Sequence, residues 1–375
     1  MLTHLFLPPL KVNNMKKQLL LLSAFAFFTT LIRANVFTVS NNLAHPAVYT
    51  DINTAITAAS KGDTIYVLGS LTHYPHIDIS KFVNIFGPGF YPLKNNTLTA
   101  IVDGIQYHSG ADSTIVDGMV INGGCGFDNN TTIYNLTISR NSLVSGGLGF
   151  GGGDNTAMHN FKFINNIMVH SGVMMSPGGT MFYNLLVENN VIANSNGPLV
   201  NGGFTSNTTI FKNNIFMCNV SGGNGTYPAF GQVYQITLSN NIFIGYQITN
   251  GTSGIDYATF DHNAAYLVSG TYGSDPFATQ HNTSINNIYD QNPLFVSASL
   301  LLPNESSDYH LQAGSPSLHA AADGGQQGVY GGDANANWSL AGMPNLPFIV
   351  SLTLNTATIN AGGTINATII SKSHN

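Results

Sequence analysis

Apolar and polar residues alternate over short runs along the middle of the chain, and each run ends in a small polar pair, most often Asn-Asn. FINNIM begins at Phe163, VENNVI at Val187, FKNNIF at Phe211, LSNNIF at Leu238 and FDHNAA at Phe260. Anchored on the second residue of the pair, the series runs Asn141, Asn166, Asn190, Asn214, Asn241, Asn263 and Asn287, with steps of 25, 24, 24, 27, 22 and 24. Gly118, in IVDGMV, extends it backwards by 23. A fixed period in this range is the signature of a solenoid. Three residues before the anchors stand Ile115, Ile138, Phe163, Val187, Phe211, Leu238 and Phe260, all apolar. Five before come Leu136, Phe161, Leu185, Thr209, Ile236 and Ala258, while intervening positions such as Thr137, Ser139, Thr237 and Ser239 are polar. That is a strand with one face in and one face out. The last coil drifts, with Ser284 in the apolar place and Ile285 beside it.

Helical periodicity is missing between the anchors. Each repeat therefore reads as a coil of short strands, stacked on the next at about 4.8 Å. Asn suits the corner because it tolerates the left-handed backbone of a tight turn, and stacked Asn amides can hydrogen-bond from coil to coil. The repeated motif is an architecture and requires no chemistry.

Upstream, Ile52, Ala55, Ile56 and Ala59 follow a helical spacing and predict an amphipathic helix. YTDINTAITAASKGDTIYVLGS, from Tyr49, and YHLQAGSPSLHAAADGG, from Tyr309, resemble the opening and closing segments of secreted bacterial right-handed parallel β-helix proteins, the pectin-lyase-like superfamily. The resemblance covers about residues 36 to 333. It implies an all-β, right-handed parallel β-helix whose N-terminal helix covers the open end of the stack and whose first strand is GDTIYV. It implies no single activity, because that superfamily holds polysaccharide lyases, glycosidases, epimerases, adhesins and inert proteins. TATINAGGTINATII, from Thr356, alternates about Gly362–Gly363 and predicts a hairpin. Residues 334–375 thus form a small C-terminal β appendage on the last coils.

Only 7% of the 375 residues are charged, 43% are hydrophobic, and Gly numbers 40. Lys16 and Lys17 precede the apolar run QLLLLSAFAFFTTLI, and Ala34 offers a cleavage point. Residues 1–34 therefore read as a secretion signal, with Met15 as an alternative start, and the run is too short to span a bilayer. Its removal would leave 7 basic residues against 17 acids, a formal charge of −10, with Arg140 the sole arginine. Nucleic-acid binding needs clustered basic residues, so nucleic acid is excluded as a partner and binding to anionic membranes is disfavoured. The superfamily resemblance implies a polysaccharide or cell-surface glycan as partner.

Catalytic motifs are scarce along the chain. Polygalacturonase-like members of the superfamily carry a Gly-His-Gly element, and no His here has Gly on both sides. Pectate-lyase-like members use acidic calcium ligands and a basic residue; calcium is left open but has no motif. The repeat register sets Glu188 beside Lys212, as an ion pair or as a base and its tuner, which makes them with Asp261 the candidate catalytic residues; Lys162 near the same face and Arg140, which also suits a corner, are candidate substrate contacts. Asp261 lies in the same outward column, about 14 Å along the stack, too far from Glu188 for a glycosidase pair. Asp103 and Asp117 each precede Gly in VDG turns and read as corners. GGLGFGGGDN, from Gly146, reads as a flexible loop, and no cofactor or metal site is expected from it. The cluster Met158, His159, Met168, His170, Met174, Met175 and Met181 reads as core and loop residues before copper ligands. Tyr227, Tyr234, Tyr246 and Tyr266 crowd the later coils and suggest aromatic faces for sugar rings. Cys125 and Cys218 lie about four coils apart, roughly 19 Å, beyond disulfide reach. The expectation is a secreted carbohydrate-binding β-helix without demonstrated catalysis. A polysaccharide lyase or glycoside hydrolase stands as the alternative, then a structural solenoid or adhesin.

Overall fold

The corners set the architecture. At the first corner of each coil the leading residue of the pair adopts a positive φ: Arg140 50°, Asn165 57°, Asn189 52°, Asn213 54°, Asn240 55°, His262 52° and Asn286 49°. The second residue turns inward, and Asn141, Asn166, Asn190, Asn214, Asn241 and Asn263 are completely buried. From Asn166 onward each buried Oδ1 accepts two bonds from the coil before it. Asn214 Oδ1, for example, takes the Asn190 backbone N–H at 2.9 Å and Asn190 Nδ2 at 3.0 Å. The amide Nδ2 groups also donate to carbonyls, as Asn190 does to Phe163. Buried polar groups are tolerated only when paired, and this ladder pairs them from Asn141 to Asn287.

The structure is a computed structural model that describes residues 34–372 apart from 91–97, 153–155, 170–173, 196, 203, 207, 219–227, 249–253, 269, 301–305, 333–337, 339–341, 345–347 and 355–361. The predicted secretion signal lies outside the described residues. Among those described, the chain winds into a parallel β-solenoid of about 9 turns. Its strands form eleven-, nine- and five-stranded sheets and two three-stranded sheets, all parallel. In the eleven-stranded sheet Ile138, Phe163, Val187, Phe211, Leu238 and Phe260 align and point inward. They meet Leu143, Met168, Ile192, Phe216 and Phe243 of the nine-stranded sheet in one continuous core.

A second corner leads into the eleven-stranded sheet. Asn135, Asn160, Asn184, Gln235, Tyr257 and Gln280 all have positive φ there. Asn160 donates to Asn135 and Asn184 to Asn160, each at 2.8 Å, which makes a shorter, exposed amide ladder. Sequence reading missed it because the corner accepts Gln and Tyr as readily as Asn, so no single letter repeats.

Several expectations shift. The earliest repeat is displaced by one residue: Val116, not Ile115, aligns with Ile138, and Met119, not Gly118, fills the Asn141 place and donates its N–H to Asn141 Oδ1. Gly118, at φ 73°, is the corner residue instead. The helix Ile52–Ala58 forms, N-capped by Asp51, and buries Ile52, Ala55 and Ile56. Thr64–Val67 is not the first strand; Val36–Val39 precedes the helix and pairs beside it. The hairpin near the C-terminus pairs Phe348–Leu354 with Ala367–Lys372, so Gly362–Gly363 lie in the connection and the first strand starts before Thr356.

The chain after Tyr309 does more than close the stack. It runs back over the outer face of the nine-stranded sheet, from late coils to early ones. Gln327 donates to the His262 carbonyl, the Gly328 N–H to the Asn240 carbonyl, and Asn189 Nδ2 to the carbonyls of Val329 and Gly331. Further on, Gly342 packs on Phe90 and Pro344 on Gly118. Gly342 and Pro344, within the span expected as the appendage, therefore reach early coils, not only the last ones. Under this strap Ile167, Val191, Ile215 and Ile242 form a second core with Tyr309, Val329 and Trp338, so the sheet is apolar on both faces, as parallel sheets commonly are.

Candidate functional site

The residues singled out by the repeat register share the outward face of the eleven-stranded sheet, apart from Arg140 at a corner, but they do not converge on one site. Glu188 and Lys212 are lateral partners, with Lys212 Nζ 2.7 Å from Glu188 Oε1. Lys162 stands exposed in the neighbouring outward column, paired with Leu186. Asp261 lies further along the sheet between Ser239 and Ile285, its carboxylate taken by His262 Nδ1 at 2.7 Å. Arg140 is a corner residue whose guanidinium clamps the buried Asp117 carboxylate, Nε to Oδ1 at 2.9 Å. Burial lifts the Asp117 carboxyl above its ordinary range, and Arg140 only partly offsets this.

The aromatic platform needs correction. Tyr246 is fully buried in the core and presents no surface. Tyr234 and Tyr266 are half-buried at strand ends, and Tyr227 lies outside the described residues. Exposed rings sit elsewhere: Tyr134, His159 and Tyr183 stack across three coils with centroids 4.5 Å apart at each step. Rings stacked so closely cover each other's faces, leaving edges to solvent, which suits coil-to-coil packing better than sugar stacking. Met158, Met168, Met174 and Met175 belong to the core, while His170 lies outside the described residues. Among the described residues no three His, Cys, Asp or Glu side chains converge as metal ligands.

A different site emerges on the five-stranded sheet. Its central outward row reads Asp78, Gln106, Gly126, Gly149 and Ser176 in lateral register. The two glycines leave a floor without side chains, and a groove of about 570 Å³ opens over it. Strands of this sheet stand about 4.8 Å apart, so the row runs along the stack axis for roughly 19 Å. Ser145, Ser176, His76 and Gln106 bring hydrogen-bonding groups to the walls. The loop expected from GGLGFGGGDN is thus partly a strand, Leu148–Gly149, forming this floor.

Along the rim runs a chain of polar side chains. Gln106 Nε2 donates to Asp128 Oδ1 at 2.9 Å, Asp128 Oδ2 meets His108 Nδ1 at 2.7 Å, and His108 Nε2 meets Asp78 Oδ1 at 3.1 Å. Carboxylates only accept, so an imidazole serving one at each nitrogen carries both protons. Burial works against that charged ring, but the bonds to Asp78 and Asp128 outweigh it and hold the His108 pKa above the usual histidine value. Sequence reasoning passed over these residues because they lie in the first coils, ahead of the Asn series. The alternation Asp78, Gln106 and His108 within IDIS and IQYHSG was the available signal.

No family model matches the chain and no curated protein matches it.

Proposed function

We infer that this is an exported, right-handed β-helix of the pectin-lyase-like kind that binds a carbohydrate in the groove over Gly126 and Gly149. The observation that carries the reading is the groove itself: elongated along the stack, floored by backbone, and walled by hydrogen-bonding groups of Gln106, Ser145, Ser176 and His76. A ligand without a bulky apolar body but with many hydroxyls fits such walls, since orientation comes from a few placed polar groups. Residues 1–34 act as the export signal, the helix Ile52–Ala58 covers one end of the stack, and residues 334–375 form an appendage.

The test is a glycan array with the purified chain and its Gly149→Trp variant. A Cβ at Gly149 has no neighbour closer than 3.9 Å, the Cys125 carbonyl oxygen, so the indole fills the groove without disturbing the strand. Binding should fall at least tenfold while the melting temperature stays unchanged. Undiminished binding removes the groove from the account.

Catalysis is the second reading, favoured by Asp78 and Asp128 on opposite sides of one imidazole at the groove rim. Paired carboxylates across a substrate are the usual machinery of glycoside hydrolysis. Reducing-sugar and lyase assays on the polysaccharides that bind decide it, and silence in binding and turnover alike leaves a structural solenoid.

A further inference from the structure

Gln106 occupies the point where the groove and the rim chain meet. Its side-chain nitrogen faces Asp128, a carboxylate that can only accept, so the amide cannot be flipped. Oε1 is consequently turned the other way, over Gly126, where a Cβ would collide with it. Glycine at 126 is what lets the amide lie across the floor. The groove therefore carries an acceptor held in one orientation by Asp128, which is itself held by His108, which is in turn held by Asp78.

Resting on the groove reading above, we propose that Gln106 is the specificity-determining residue of the site, accepting a hydrogen bond from a hydroxyl or amide N–H of an uncharged glycan. His108 acts as a positioning residue through Asp128. An anionic sugar is rejected for two reasons. Its carboxylate offers an acceptor to an acceptor, and it must approach Asp78 and Asp128, whose combined charge exceeds that of the single imidazolium between them. The charged groups facing His108 are those two carboxylates, one from the strand Ile77–Ile79 and one following Cys125–Phe127.

The chain also links binding to pH. Below the raised His108 pKa both ring nitrogens donate and the amide is fixed. As pH rises through that value one nitrogen becomes an acceptor facing a carboxylate; where Nδ1 is the nitrogen that loses its proton, Asp128 keeps its bond from Gln106 but is no longer oriented by His108, and the Gln106 amide loses its fixed direction.

Calorimetry on the full chain with cellotetraose, chitotetraose and tetragalacturonate tests this. A neutral tetramer should bind at pH 5.5, at least tenfold tighter than the uronate, and weaken several-fold by pH 8.5. Gln106→Leu should lose tenfold or more and flatten the pH profile. Gln106→Glu, which places a carboxylate against Asp128, should bind only at the acid end. His108→Phe should bind weakly at every pH, with no profile. Melting temperatures within a few degrees of the parent confirm that the variants fold. Neutral binding that Gly149→Trp abolishes but Gln106→Leu spares overturns the role of Gln106 and keeps the groove. Equal affinity for the uronate overturns the selectivity, and a flat parent profile overturns the His108 link. Failure of both neutral tetramers, or binding indifferent to Gly149→Trp, sinks the groove reading with it.

Discussion

Asn190 and Asn214 are joined twice: one amide oxygen of Asn214 receives both the backbone N–H and the side-chain Nδ2 of Asn190. Replacing Asn214 with Ala strands the buried Asn190 N–H, while Asn190 Nδ2 keeps the Phe163 and Glu188 carbonyls, and it also removes the Asn214 amide's own bonds to the Val187 carbonyl and Asn241 Oδ1, each buried group left unpaired costing about 1–3 kcal/mol. Asn214→Ala should destabilise the protein by about 3–5 kcal/mol in denaturant unfolding. Asn287→Ala, at the half-buried end of the ladder, should cost about 1 kcal/mol. Equal losses at both positions would show that burial does not govern the ladder.

This ladder was the part most legible in the sequence, because one chemical demand recurs at every coil and only Asn meets it. The neighbouring corner position was less legible. A left-handed residue there can be Arg140 or His262 as well as Asn, so Arg140 reads as candidate chemistry while serving a turn. The displaced repeat at Gly118 has the same origin, since Met119 takes the buried place without an amide to mark it. Gly126 and Gly149 were illegible as a floor, because a missing side chain has no pattern and their register with Gln106 exists only once the coils stack.

Arg140 and Asp117 give a pH-dependent prediction. The Asp117 carboxyl is raised in the folded protein, so its protonated form favours folding. That contribution is full below the unfolded carboxylate pKa and is lost as pH rises through the folded value. Arg140→Ala removes the offsetting cation and should cost about 3–5 kcal/mol at neutral pH. Melting curves should show part of the loss recovered toward pH 4, and Asp117→Asn in the same background should restore much of it. A penalty independent of pH would separate the two residues.

The Glu188–Lys212 pair should matter little. Lys212 keeps 39% of its side chain in solvent, although Glu188 keeps only 15%, and solvent-screened pairs are worth about 0.2–1 kcal/mol. A double-mutant cycle with Glu188→Gln and Lys212→Met should return a coupling below about 1 kcal/mol, with glycan binding unchanged. A loss of binding on either change would return this face to consideration as a site.

Cys125 and Cys218 are both buried and form no disulfide, and they lie in different sheets. Burial pushes their thiols up to about 12 and about 11, and the thiol must ionise to react. Ellman's reagent at pH 8 should find neither in the native protein and both after denaturation. Rapid labelling of either one in the native state would contradict this burial.

The strap that crosses the outer face of the nine-stranded sheet joins coils in the reverse of the order in which they are made. Its hydrogen bonds run from His262 through Asn240 to Asn189, and its far end meets Gly118. A stack of coils could otherwise grow from its first turn, each one resting on the last. Here Ile167, Val191, Ile215 and Ile242 stay uncovered until the last part of the chain arrives. The molecule therefore checks its own completeness: an unfinished chain holds a long apolar stripe open, and only a finished one can seal it.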